Sequence, residues 1–110
     1  MPRKKSENTC PASNTMLVLA LLEGGDKYGY QIIRELECRS DQTFSMKEGT
    51  LYPILHALEK EKLLESYWQE FEGRNRKYYH LTRKGLRALE EKKEEWESFS
   101  HAVAKVLHYA

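Results

Sequence analysis

No apolar run in the chain approaches the roughly 18 residues needed to cross a membrane. The longest, residues 16–22, lies between Ser13, Asn14 and Thr15 on one side and Glu23 on the other, and reads as a buried helix. No apolar segment follows the opening Met1-Pro2-Arg3-Lys4-Lys5, so no signal peptide is expected and the protein is placed in the cytoplasm. Cysteine is scarce: Cys10 and Cys38 are far apart and neither has a CxxC partner, which argues against a disulfide framework and a zinc site. His56, His80, His101 and His108 make no ligand cluster, since only the last two share a helical face, and no metal is expected. There is no phosphate-binding glycine loop, no acid pair in a pocket-forming context and no nucleophile with a partnered base. Neither an enzyme nor a cofactor is expected.

What is present is 110 residues, 40% hydrophobic and 32% charged. That is one domain, with room for one appended helix. A folded chain of this size buries roughly 65% of its unfolded surface, enough for one core. The net charge of +1 gives no reason to invoke nucleic acid, but its distribution does. Residues 74–87 hold six basic side chains (Arg74, Arg76, Lys77, Arg83, Lys84, Arg87) and no acid. Residues 88–97 hold five acids (Glu90, Glu91, Glu94, Glu95, Glu97) against Lys92 and Lys93. Alternating solvated faces would explain the same run without function.

Along the chain, residues 1–12, polar and basic through Asn8, read as a flexible basic arm. A helix should start at Ser13 or Asn14, both good N-cap types, and stop at Gly24-Gly25. Its leucines lie all round, so it is buried on several sides. Residues 26–40 give a second helix with Tyr30, Ile33 and Leu36 on its apolar face, followed by a polar connection and a short edge strand at Phe44-Ser45. Ser45 and Glu48 have capping-box spacing. A third helix is expected over residues 47–62, burying Leu51, Leu55 and Leu58. Pro53 should kink it or tighten its first turn, or else the regular helix starts only near Thr50. From Leu64 the period changes to two, and the strands at 64–71 and 76–81 around a turn at 72–75 form a β-hairpin. Thr82 then caps a long helix from Arg83 to about Tyr109, roughly 40 Å at 1.5 Å per residue. Its apolar positions, among them Leu89, Trp96, Phe99 and Val103, have no remaining segment of the chain to cover them.

Three helices, a hairpin and a long helix make a mainly α fold: a winged helix-turn-helix over residues 13–82 with a dimerisation helix over 83–110. In such a fold the third helix enters the major groove and the hairpin lies along the backbone or minor groove. Lys47, Thr50, Tyr52 and His56 near the start of the third helix are then candidate DNA contacts, and Arg74, Asn75, Arg76 and Lys77 at the hairpin tip face phosphates. Tyr52 contacts DNA or only buttresses the helix pair. Tyr79 should pack under the wing with Leu81, Tyr78 should be more exposed, and Trp68 should lie in the hairpin core, the alternative being that it serves a ligand or DNA.

Four stretches resemble the PadR family of bacterial transcriptional regulators. They are Tyr28-Gly29-Tyr30-Gln31-Ile32, Glu48-Gly49-Thr50-Leu51-Tyr52-Pro53-Ile54-Leu55, Leu58-Glu59-Lys60, and Arg76-Lys77-Tyr78-Tyr79-His80-Leu81-Thr82 with Gly85. The match runs in order over about residues 16–97. The single terminal helix is similar to the short subclass that includes a lactococcal multidrug-sensing repressor. The resemblance implies a homodimer joined through the last helix and bound to a palindromic operator on double-stranded DNA, usually as a repressor. It also implies a ligand role for Trp96, with Phe99 as a lesser member: in the multidrug sensor a tryptophan at the matching position binds planar aromatic compounds. Trp96 facing its own copy across a two-fold axis would form such a slot for an aromatic or cationic inducer, while the plainer reading makes it an interface anchor. Two departures stand out. Lys62 replaces the glycine usual after the third helix, so the helix is expected to end differently, and Gln31 replaces a glutamate. A module that docks on another protein through the long helix is the competing reading, and a winged helix for structured RNA a weaker one. The docking module leaves the basic wing unexplained, and the reading as a binder of RNA or structured nucleic acid is one without operator specificity.

Overall fold

The computed structural model describes residues 13–109; the expected basic arm over 1–12 lies outside them. The first helix, α1 (Asn14–Glu23), begins at Ser13, whose side chain accepts a hydrogen bond from the Met16 N–H. It buries Met16, Val18, Leu19, Leu21 and Leu22 and packs against every later layer of the domain. This explains why its apolar residues go all the way round.

The second helix starts later than its periodicity suggests. Lys27-Tyr28 forms a two-residue strand, β1 (Lys27–Tyr28), and only then does α2 (Gly29–Arg39) begin. The Tyr28 N–H donates to Gln31 Oε1 at 3.2 Å, so Gln31 supplies the acceptor that a glutamate would. At the far end Asp41 and Gln42 take left-handed backbone (φ 52° and 67°), and the Gln42 N–H returns to the Glu37 carbonyl. The expected edge strand at Phe44-Ser45 does not form. The Phe44 N–H is held by the Ser40 hydroxyl at 3.0 Å, a local bond that competes with sheet pairing.

Helix α3 (Glu48–Lys60) is capped by Lys47 and not by Ser45. The Lys47 carbonyl receives the Thr50 and Leu51 N–H groups, and no side chain caps the end, so the Ser45–Glu48 spacing is a coincidence. The helix runs through Pro53 without a break. The bond lost there leaves the Gly49 carbonyl free in an exposed first turn, where water can satisfy it. At its C-terminus Lys62 adopts φ 68°, the Lys62 N–H reaches the Glu59 carbonyl, and the Leu63 N–H reaches the Leu58 carbonyl. The left-handed stop is therefore kept without glycine, at a backbone penalty of about 1 kcal/mol, and the expected change of helix end does not occur.

Strands β2 (Leu64–Phe71) and β3 (Arg74–Leu81) pair from Leu64 opposite Leu81 to Phe71 opposite Arg74. The turn is only Glu72-Gly73, both left-handed, tighter than the four residues expected, and Arg74 and Asn75 belong to the strand. With β1 on the free edge of β3, the antiparallel sheet has the order β1-β3-β2. Tyr79 is buried and Tyr78 half-buried, as expected, but Trp68 is 66% exposed and not in the hairpin core. The core face of β2 is covered only near its start, where Leu64 is buried and Ser66 Oγ donates to Glu59 of α3. Beyond that point an open cleft separates the hairpin from α3.

Helix α4 (Arg83–Leu107) is N-capped by Thr82, which accepts from the Gly85 N–H at 2.9 Å. Gly85 and Leu89 are its only buried residues, and Trp96 lies partly against the core. Phe99, Val103, Val106 and Leu107 are exposed. The long helix gives the molecule a longest extent of 58 Å. No helix among the described residues is long and apolar enough to cross a membrane.

Gly85 sits where α4 meets the end of α3. A β-carbon there would overlap the Leu63 carbonyl oxygen and the Leu81 side chain, whereas one at Gly49 meets nothing. Gly85→Ala should therefore destabilise the protein by about 1–3 kcal/mol through overpacking. Gly49→Ala should be neutral or stabilising by up to about 1 kcal/mol. Urea midpoints of the two variants check this.

Candidate nucleic-acid interface

Hairpin and third helix converge on one surface. A cleft of about 480 Å³ lies between them, walled by Tyr52 and His56 of α3 and by Trp68, Arg76 and Lys77 of the wing, with Tyr28 and Glu48 at its margins. Lys47 and Thr50 stand exposed at the start of α3, and Arg74 and Asn75 stand exposed beside the turn. Lys47, Arg74, Arg76 and Lys77 make no ion pair with a carboxylate among the described residues.

The individual side chains differ in how they are held. Tyr52 packs its hydroxyl against Gly29 at the start of α2, so closely that a β-carbon at Gly29 would overlap it. Burial, then the charge of Glu48, push the Tyr52 phenol above its ordinary value. Tyr52 thus props α2 against α3 while the rest of its ring lines the cleft. Arg76 and Lys77 do not stand at the hairpin tip. Both are half-buried, well inside β3, opposite Gln69 and Trp68. The Arg76 guanidinium lies 4.3 Å from the Tyr28 ring centroid, and its Nε is buried without a hydrogen-bond partner. The Lys77 ammonium lies 5.7 Å from the Tyr79 ring.

On the opposite face of the wing, Tyr67 stacks on Tyr78 at 5.7 Å, and Tyr78 meets Tyr28 edge-on at 5.4 Å. Asp26 closes this ladder by accepting from the Tyr67 hydroxyl at 2.7 Å and pairing with His80 Nδ1 at 2.8 Å. The sequence reading missed Asp26 and Tyr28 as parts of the wing, because a two-residue strand has no readable period. The one available signal was Tyr28 inside its Tyr-Gly-Tyr motif.

Trp96 stacks on Phe99 at 6.1 Å between centroids, so the structure brings the two expected ligand residues together. Trp96 leans on the core of its own chain, while Phe99 is half exposed and borders a shallow hollow with Glu91, Glu94 and Glu95.

The profile of the transcriptional regulator PadR-like family matches residues 18–91. An uncharacterised protein of Lysinibacillus sphaericus is 38% identical over 81 residues, which cover 73% of this chain and 74% of that protein. A transcriptional regulator from Clostridium thermocellum superposes with a TM-score of 0.77 at 36% identity, covering 84% of this chain and 90% of that one. A PadR-like transcriptional regulator from Bacillus cereus gives 0.76 at 34% identity, covering 87% and 92%.

The Asp26 cluster generates a pH prediction. Desolvation alone would raise the carboxyl pKa, but hydrogen bonds from Tyr67 and His80, with the charges of His80 and Lys27, outweigh it and hold Asp26 below its ordinary 3.8. A carboxyl depressed in the folded state stabilises above its unfolded pKa and loses that contribution as pH falls through the folded one. Asp26→Asn should lower Tm at neutral pH, and the gap to wild type should close as pH drops below about 3.8. Melting curves of both proteins from pH 7 to pH 3 check this.

Proposed function

The chain belongs to the PadR-like family of transcriptional regulators, and from that membership we propose that it is a cytoplasmic, homodimeric repressor of a palindromic DNA operator. The observation that carries the reading is the convergence of the α3 surface and the wing on one cleft, with cations that no carboxylate among the described residues neutralises. In this reading α3 enters the major groove with Lys47, Thr50, Tyr52 and His56 toward it. Arg74, Asn75, Arg76 and Lys77 meet phosphates, which set affinity and register rather than sequence. The exposed second half of α4 is covered by the same helix of a second copy, since Phe99, Val103, Val106 and Leu107 have no cover among the described residues. A two-fold dimer presents two α3 helices to half-sites about 34–36 Å apart.

Gel shifts with the DNA flanking the protein's own gene test the reading. Wild type should bind it more tightly than random duplex. Lys77→Ala should weaken both by similar factors and reduce the salt slope by roughly one unit. No shift by wild type, or a loss confined to the operator, would sink the reading or the phosphate role respectively. Thr50→Ala should weaken binding as well.

The ligand part of the proposal follows the multidrug-sensing subclass. Trp96 of each protomer lines a slot for a planar aromatic compound, Phe99 flanks it, and Glu94 and Glu95 favour a cation. An indole face adds about 0.5–2 kcal/mol for a cationic ligand. Sedimentation should give twice the 13.0 kDa chain mass. Planar cationic dyes should bind once per dimer and reduce DNA affinity. Trp96→Ala should abolish dye binding, and full dye affinity in that variant would leave Trp96 as an interface anchor only. A monomer in sedimentation would instead favour docking of α4 on another protein.

A further inference from the structure

We propose that Trp68 is a DNA contact of the wing, packing its indole on the sugar-phosphate strand between the groove read by α3 and the groove reached by the hairpin tip. This rests on the DNA-binding reading above and adds a residue and a role to it.

Trp68 is the largest side chain that the domain leaves open, at 66% exposure. Its position is not loose. Two residues earlier on the same face of β2, Ser66 is hydrogen-bonded to Glu59 of α3, and Leu64 before it is buried. Register therefore fixes the indole relative to the recognition helix. At about 3.3 Å per residue, Trp68 stands roughly 7 Å beyond that anchor and roughly 13 Å short of the Glu72-Gly73 turn. A surface that places α3 in one groove and the turn in the next must meet the intervening strand between them, which is where Trp68 stands.

The chemistry of the neighbourhood fits that strand. Lys77 lies directly across the hairpin and Arg76 lines the same cleft, with Glu48 the one acid at its margin. The apolar indole face suits the C–H surface of deoxyribose, and its N–H is a donor for phosphate. Nothing in the described chain uses that face or that donor. Because the indole carries no charge, its contribution should appear in affinity without appearing in the salt slope, which separates it from Lys77.

The experiment measures affinity of wild type, Trp68→Ala and Trp68→Phe for the operator-region duplex and a random duplex at several salt concentrations, with thermal melts confirming the fold. Trp68→Ala should lose on the order of tenfold on both duplexes with an unchanged slope, the size of one aromatic contact. Trp68→Phe should recover most of it. DNA should also change tryptophan emission in wild type and not in Trp68→Phe, where Trp96 alone remains. Trp68→Ala within about twofold of wild type on DNA that wild type binds would overturn this inference and leave the DNA-binding reading standing. A loss confined to the operator would overturn the backbone contact in favour of base reading. Failure of wild type to bind any duplex would overturn both.

Discussion

Three consecutive carbonyls at the end of α3 decide how the parts of this molecule are joined. Those of Glu61, Lys62 and Leu63 follow the last helical residue, Lys60, and lie in the short link to β2. Each is claimed by the start of α4. Lys84 Nζ donates to Glu61 at 3.2 Å, and the Thr82 hydroxyl is shared between Lys62 and Leu63 at 2.8 and 3.0 Å. The Thr82 N–H also reaches Leu63, at 3.1 Å. Gly85 then lays its bare Cα on the Leu63 carbonyl, which explains why that position tolerates no side chain. Helix α3, both hairpin strands and α4 thus leave one point in fixed directions, and the left-handed Lys62 is what turns the chain into it.

The wing itself is held from two sides. On its inner face Ser66 is tied to Glu59. On its outer face the tyrosine ladder, ending in Asp26 and His80, fastens β2 and β3 to the segment before α2. Arg76 extends this order to a cation. Its guanidinium is stacked on Tyr28 before any partner arrives, an interaction worth about 0.5–2 kcal/mol depending on exposure. A long basic side chain normally gives up rotamer freedom when it meets a phosphate. Stacking on Tyr28 removes part of that loss in advance, and it also explains why an arginine aimed at solvent in a simple hairpin drawing is half-buried here.

Helix positions were readable because burial stamps a period on long segments. The body of α2 and of α3, and α4, follow it, while α1, apolar all round, is bounded by its Ser13 cap and Gly24-Gly25, and Thr82 declares the last cap. What could not be read is what depends on contacts between distant residues. β1 exists only because Lys27 and Tyr28 meet Tyr79 and Tyr78. Ser45 has the type and spacing of a cap, but the chain reaches α3 in a geometry that gives the cap to Lys47. Trp68 alternates in phase with buried Leu64 and half-buried Ser66, so its period says inside. It is outside because an open cleft, and not a packed contact, separates it from Tyr52 and His56 of α3, a tertiary fact that no local pattern carries. The candidate site was legible in residue type, since Arg76 and Lys77 line the cleft with Tyr52 and His56. It was illegible in detail, because the turn is two residues long and these cations sit farther from it than the sequence suggests.

The rigidity of the α3–α4 junction bears on how a ligand near Trp96 could change DNA binding in the proposed dimer. From Gly85 to Trp96 is eleven residues of helix, roughly 16 Å. Over that span Leu89 is fully buried and Lys93 is paired with Glu23 of α1, so the first half of α4 is fastened to the winged domain along its length. Bending α4 within a protomer would have to break the Thr82 and Lys84 bonds or pull Leu89 from the core. Changing how the exposed second halves pack on each other breaks neither. A ligand between the two Trp96 side chains therefore acts most cheaply by re-angling whole protomers. Each protomer then carries its α3 and wing as one body, and a small rotation at the interface becomes a larger displacement at α3. The ligand can shift that balance only by its difference in affinity for the two arrangements. In the proposed dimer, half-site spacing, rather than the shape of either proposed DNA-binding surface, is thus the variable such a ligand would control.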